Sequence, residues 1–446
     1  MSKDEDLAAA LLAAARRAGA EAADALVVSA ISNAVGVRGG KLEEAERAEG
    51  LDLGLRVLIG RRQACVSSSD ARPETLAEMA ERAVAMAREA PEDRWCGLAD
   101  PSDLGPVSET ADLDLTDPAA PPEPAALEQV ALAAEAAALG ISGVAQVDQA
   151  SASWGRDRIT LAATNGFAGS YDRTRSGIWV SAIAGEGLRR EGDHAGEQRT
   201  YRADLPGPAE IGGKAGRRAV ERLGPRKPRA GRFPVLFDER VASSLIGHIL
   251  GAINGSAIAR GASWLRDAME TRILPEGFDL IEDPLIPRGA ASRPFDGEGL
   301  AGRRKLLIEG GVLRSWVLDL ATARQLGLKS TGNARRGVAA PPSPGTSNIR
   351  VTEGARSRDD LIAAMGTGLL VTSMIGSSVN ATTGAYSRGA SGFWVEGGVI
   401  GYPVNEVTVA GSLPEMVRTL VPANDADPHK AHSVPSLLVE GLTVGA

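Results

Sequence analysis

Cysteine is nearly absent from this chain of 446 residues: Cys65 and Cys96 are the only two, and neither belongs to a CxxC or Cys/His zinc spacing. Two thiols in so long a chain fit a reducing compartment. Histidine is almost as scarce, with only His194, His248, His429 and His432. No GK[ST] phosphate loop occurs and no GxSxG elbow, which removes the commonest nucleotide and serine-hydrolase signatures. Basic residues are outnumbered, and the formal net charge of -8 argues against a surface built for nucleic acid. No apolar run is long enough to cross a bilayer. Leu7–Ala15 has the apolar length of a signal core, but Asp4, Glu5 and Asp6 precede it where positive charge is needed. The expectation is a soluble, cytoplasmic protein with no membrane partner.

The length exceeds one ordinary core, so more than one domain is expected. The acids before Leu7 and Arg16-Arg17 after it suit the two ends of a first helix, closed by Gly19. Leu26–Ala30 reads as a strand, and Leu51, Leu53, Leu55, Val57 and Ile59 keep the period-2 spacing of a half-buried strand. Pro73 opens a second helix. Cys65 is placed in the connection between them as a small buried hydrophobe, since no nearby histidine could activate it. Residues 97–124 read as a long surface loop, and an Ala-rich helix follows from Pro124 to Leu139. Val144–Ala184 reads as about four short strands with a hairpin turn at Asn165-Gly166, and a helix then carries Ile211, Ala215 and Ala219. Residues 226–229 look like a linker. The fold class is α+β: an N-terminal α+β domain over residues 1–228, and a mainly antiparallel-β C-terminal domain with a few helices over residues 229–446.

Hairpins organise that second half. Phe393–Glu396, Gly397-Gly398 and Val399–Tyr402 read as two strands about a two-glycine turn, and Lys305–Trp316 repeats the device around Gly310-Gly311. Val241–Ile258 reads as one apolar helix. Gly297–Gly302 matches GxGxxG by letter, but a charged loop precedes it and a strand follows, so turn glycines are the better reading. Asp296 and Glu298 have the chemistry for a hard cation, yet two acids on a glycine turn are usually a solvated turn. His194 is expected solvated in a loop, and His429-x-x-His432 lies in a polar loop that gives no helical spacing for a metal. His248 sits on the apolar helix, without the second histidine and glutamate base of a zinc protease.

Beyond these single motifs, the chain resembles the TldD/TldE (PmbA) family along nearly its whole length. The carriers are Ile253–Ile258 with Ser263–Leu265, Asp283-Pro284, Phe295–Gly299, Leu307–Leu313, Thr322–Arg324, Ser330–Asn333, Thr383–Ser387 and Gly389–Trp394. The resemblance implies a cytoplasmic protease assembled from two related subunits. Its TldD-type subunit holds zinc on a helical HExxxH motif plus a cysteine near the C-terminus, and its TldE-type subunit lacks those ligands. Counting back without gaps from Arg260–Ser263 puts the ligand positions on Ile246 and Gly251 and the base position on Gly247, with His248 out of register. No cysteine follows Cys96. The chain therefore resembles the TldE/PmbA-type, non-catalytic subunit: no catalytic residue, metal ligand or cofactor of its own, with zinc expected in a TldD-type partner. Pairing would give a heterodimer or larger assembly acting on unfolded peptides or peptide precursors, which could add to exposed sheet edges of the C-terminal half.

Two alternatives stay open at this point. One is an atypical metallopeptidase in which His248, His429 and His432 converge on a metal. The other is a homodimeric binding or regulatory module without proteolysis. The family's older label, modulator of DNA gyrase, implies regulation, and the acidic charge favours a protein-mediated effect over direct DNA contact.

Overall fold

The computed structural model describes residues 2–104 and 113–445. The part of the expected 97–124 loop that falls on 105–112 lies outside the described residues.

The first half is a tandem of the same unit. Helix α1 (Lys3–Ala18), strands β1 (Ala22–Arg38), β2 (Lys41–Ile59) and β3 (Arg62–Ser68), and helix α2 (Pro73–Glu89) form one copy. Helix α3 (Pro124–Leu139), strands β4 (Val144–Ala163), β5 (Ala168–Ala184) and β6 (Glu191–Arg199), and helix α4 (Pro208–Glu221) form the other. The copies join through antiparallel pairing of β1 with β4, which gives one six-stranded sheet in the order β3-β2-β1-β4-β5-β6. Odd-numbered residues of β1 share one face, because successive side chains alternate. Ala23, Ala25 and Val27 pack under α1 and α2, while Val35 and Val37 pack under α3 and α4. The even face carries Leu26 and Val28 towards Phe167 and Phe295.

Strand lengths depart from expectation. Val144–Ala184 is two long strands, not four short ones, because glycines, serines and arginines interrupt the apolar pattern without interrupting the ladder; Ser151–Arg158 pairs continuously with β5. β1 likewise runs far beyond Leu26–Ala30. Cys65 belongs to β3, paired with Arg56, rather than to a connection. His194 is on β6, where its ring stacks on Trp179 at 4.5 Å between centroids, so it is not a loop residue.

The second half opens with β7 (Gly231–Phe237), which lies between Gly368–Val379 on its parallel side and Leu437–Gly445 on its antiparallel side. Ala385–Glu396 and Val399–Ser412 extend this sheet, and Thr408–Ala410 pairs back with Thr443–Gly445, so the sheet partly closes on itself. Most edges expected to be open in this half are thereby used. The two-glycine turns stand as expected: Gly310 and Gly311, and Gly397 and Gly398, all have positive φ. The apolar helix breaks in two, α5 (Glu239–Ala252) and α6 (Gly255–Ala259), because the Asn254 side chain accepts from the Ser256 N–H at 3.0 Å and starts a new helix. The residues expected as a linker are pinned: the Arg226 N–H donates to the Pro403 carbonyl, and its guanidinium lies 3.7 Å from the Tyr402 ring centroid.

The even face of the first sheet rests on the second half. A Cβ on Gly54 would lie 2.4 Å from the Val338 carbonyl oxygen, so only glycine allows this approach. Gly54→Ala is expected to destabilise the chain by about 1–3 kcal/mol. Gly50→Ala on the same strand, where the new Cβ meets nothing within 4 Å, should not. Paired denaturant titrations check this, and equal midpoints would refute the close packing.

Candidate functional site

The helix on which the resemblance would put a zinc motif begins where β7 ends. Asp238 caps α5, and Arg240 and Arg358 hold its carboxylate at 3.0 and 2.9 Å. One side of α5 is core: Leu245, Ile246 and Ile249 are within 1% of full burial. The other side shows Gly247 and Gly251 to solvent, and a Cβ on either would meet nothing within 4 Å. His248 is half-buried beside this strip. Its ring meets Tyr386 edge-on at 5.7 Å, and its Nε2 has no hydrogen-bond partner. Burial, with the nearby Arg388 charge, pushes the His248 pKa below the ordinary histidine value and keeps the ring neutral.

Alongside α5 runs Gly368–Val379. One edge of this strand pairs with Ala385–Glu396 for most of its length, while the other pairs with β7 only through Leu369–Val371. From Thr372 onward that second edge has no ladder partner among the described residues. Ser244 reaches Met374 across the gap, Oγ to Sδ at 3.7 Å, and Ile375 is 70% exposed. Beyond Val371 the strand thus presents an edge without a ladder partner, which is the geometry an extended peptide can join by main-chain hydrogen bonds.

A zinc ion does not fit these residues. Ile246 is fully buried in the core, whereas Gly251, five residues on and about 140° around the helix, is at the surface. Neither offers a donor, and Gly247 offers no base. The histidines do not gather either. His248 sits with Tyr386, His432 pairs with Ile349 in a short strand near Arg335 and Glu282, and His429 is exposed with its N–H on Asp427 at 2.9 Å. Among the described residues no group of three or more His, Cys, Asp or Glu side chains is placed to hold a metal ion.

Asp296 and Glu298 overturn the expectation of a solvated turn, since both are buried. Asp296 accepts from the N–H groups of Glu298, Leu300 and Ala334 at 2.9–3.0 Å, and Glu298 accepts from the Leu320 N–H at 2.9 Å. They tie an irregular segment to the helix at Leu320–Leu326 instead of binding a cation. Asn333 and Glu282 act similarly. The Asn333 amide donates to both Glu282 oxygens at 2.8 Å, and Lys305 reaches the same carboxylate at 3.1 Å. Residue identity alone did not single out Tyr386, Arg388 or the open strand edge. The alternating Leu51–Ile59 pattern did leave Arg56 on the opposite face, a signal that this face also meets protein.

Family models described as PmbA/TldA metallopeptidase domain 1, central domain and C-terminal domain match residues 23–87, 117–223 and 230–446. Three segments therefore stand where the sequence reading divides the chain in two, and the first two correspond to the two copies that share one sheet. By these models the chain is of the PmbA/TldA metallopeptidase type in name, and its α5 carries no ligand group at Ile246, Gly247 or Gly251. The chain is 35% identical over 434 residues, 97% of its length and 93% of the other's, to "Metalloprotease PmbA" of Escherichia coli O157:H7. It belongs to the PmbA/TldD family. A solved structure from Bacteroides thetaiotaomicron, described as a candidate modulator of DNA gyrase, superposes with a TM-score of 0.92 at 27% identity, covering 100% of this chain and 99% of that one. TldE from Thermococcus kodakarensis shares the fold, with a TM-score of 0.86 at 19% identity over 99% of this chain and 100% of that one. Among the described residues no helix is long and apolar enough to cross a membrane.

Two outcomes follow for this region. Gly247 lies inside α5 with open space around it, so Gly247→Ala is expected to stabilise the fold by about 0.5–1 kcal/mol through helix propensity; a loss of stability by thermal unfolding would contradict the open strip. Burial next to Asp296 and Asp319 raises the Glu298 pKa well above the usual carboxylate range. The folded chain holds that proton more tightly than the unfolded one. Its contribution is therefore full below the unfolded value, about 4.3, and is lost as pH rises through the raised folded value. Glu298→Gln keeps an acceptor for the Leu320 N–H, so its gain in Tm should be larger at about pH 8 than at about pH 5. Equal gains at both would count against the buried charge.

Proposed function

We propose that this chain is the non-catalytic, TldE/PmbA-type subunit of a two-subunit peptidase, pairing with a TldD-type zinc metalloprotease that acts on unfolded peptides or peptide precursors. The observation that carries this reading is α5: core on one side, bare glycine on the other, with no donor at Ile246, Gly247 or Gly251. Zinc activates water only when its ligands leave one position open with a base in reach, and such ligands would be the partner's contribution. This chain's part is to present the α5 strip and the open edge beyond Val371, where extended substrate can lie against the backbone. The names of its relatives support a peptidase context, and the T. kodakarensis TldE supports the fold of such a subunit. We place the assembly in the cytoplasm, in keeping with the two unpaired cysteines.

The test is to purify the chain and a TldD-type protein from the same source, separately and mixed, and to measure solution mass and cleavage of an unfolded polypeptide. The expected result is a new, heavier species in the mixture, with cleavage at least about tenfold above either protein alone. Chelation should abolish that cleavage, and Gly247→Leu in this chain should weaken it without lowering its own stability. Independent migration and unchanged rates would overturn the proposal.

A further inference from the structure

A cavity of about 280 Å³ lies where the even face of the first sheet meets the second half of the chain. Its floor is apolar: Leu26 of β1, Ile159 and Leu161 of β4, and the Tyr171 and Phe295 rings, which meet edge-on at 5.4 Å. Its rim is cationic, with Arg173 from β5 and Arg293, Arg335 and Arg336 from the second half. The one carboxylate in the lining is Asp296, whose two oxygens already accept from three backbone N–H groups. Four guanidinium groups thus surround a space with no free anion in its walls.

Hydrogen bonding at the rim is incomplete. The Arg336 side chain is 1% exposed and pairs with Asp24 through Nη1, which leaves buried Nε and Nη2 without partners. Arg173 donates Nη1 and Nη2 to the carbonyls of Ala290 and Ser292, and its buried Nε has no partner. Buried N–H groups left unmet cost about 1–3 kcal/mol each, more on a charged group, so these guanidinium groups have hydrogen-bonding capacity to spare. Guanidinium matches carboxylate in plane and spacing, and these charge-assisted bonds strengthen away from water. A phosphate would satisfy the charge but would set a strongly hydrated group against leucine, isoleucine and phenylalanine. The volume suits one or two amino-acid side chains' worth of ligand.

From this arrangement we infer that the cavity is a binding site for a carboxylate joined to an apolar body: a hydrophobic carboxylic acid, or the C-terminal hydrophobic residue of a peptide. The carboxylate pairs with the guanidinium groups of Arg336 and Arg173 that line the cavity, and the apolar body lies on Leu26, Ile159 and Phe295. No residue of α5 or of the open strand edge lines this cavity, so the site stands independently of the subunit reading.

The experiment is calorimetric titration of the full chain with N-acetylphenylalanine, N-acetylphenylalaninamide, inorganic phosphate, and a flexible decapeptide ending in phenylalanine with a free or an amidated terminus. Saturable binding of the free acid is expected, with the amide at least about tenfold weaker and phosphate failing to compete. Binding of the free-ended decapeptide as well would identify a chain terminus as the ligand's source, and binding of the small acid alone would identify a free organic acid; both support the site. Equal affinity for acid and amide, no binding of any acid at millimolar concentration, or phosphate binding as tightly as the acid would overturn it. Arg173→Gln should weaken the acid at least about tenfold. Since that change also frees the Ala290 and Ser292 carbonyls, Val28→Phe serves as a second variant that crowds the cavity and leaves every arginine in place. It too should weaken binding, and unchanged affinity in both variants would refute the assignment.

Discussion

Asp24 holds the molecule together where its halves meet. It sits on β1, almost fully buried, and accepts from Arg56 of the neighbouring strand at 2.8 Å and from Arg336 of the second half. Burial alone would raise its pKa, but the two guanidinium groups overcome that and hold it below the ordinary aspartate value. Replacing such a buried cluster as a whole can be neutral, whereas removing one member strands the others, at about 3–5 kcal/mol. The cluster therefore acts chiefly as a register: it fixes which residues of the first sheet face which loop of the second half. The close approach of Gly54 to Val338, the burial of Phe295 and the arginine-rimmed cavity all follow from that placement.

The irregular stretch between α6 and Gly368–Val379 shows a related constraint. Its strands are short, so much of its backbone cannot be satisfied by ladders and must find side chains. Asp296, Glu298, Asp319, Glu282 and Asn333 supply them: each is buried, and each accepts from or donates to a neighbouring loop or helix end. Asp296, Glu298 and Asn333 lie in segments that carry the family resemblance, and in this chain they serve the architecture. Resemblance in this segment therefore speaks to shape more than to chemistry.

How much was legible in the sequence depended on whether the signal was local. Helix ends marked by Gly19, Pro73 and Pro124, and turns built on paired glycines, lie where their residues require a particular φ or cap. Period-2 spacing located β2 because one face is aliphatic. It missed the length of β4 and β5, where the buried residues are often small, such as Ala150, Ala152 and Ser176, and alternate with exposed or half-buried polar ones. Asp296 and Glu298 looked solvated because acids on glycine turns usually are; their burial depends on the Leu320 helix and the Ala334 backbone, neither visible from the turn itself. The candidate site divides the same way. The residue types at 246, 247 and 251 could be read letter by letter, whereas the open edge beyond Val371 exists only because β7 ends at Phe237 while its neighbour continues.

That mismatch in strand length links scaffold to function. Chain leaving β7 turns at Asp238 into α5, so the helix starts where the ladder stops and runs beside the strand edge it has vacated. Glycine at 247 and 251 leaves the solvent side of α5 free of side chains at those positions. A helix interior ordinarily disfavours glycine by about 0.5–1 kcal/mol per residue relative to alanine. Tolerating that cost twice on an exposed strip makes sense when something must approach the backbone closely. The open strand edge beside it supplies the hydrogen-bonding reason for an extended chain to do so.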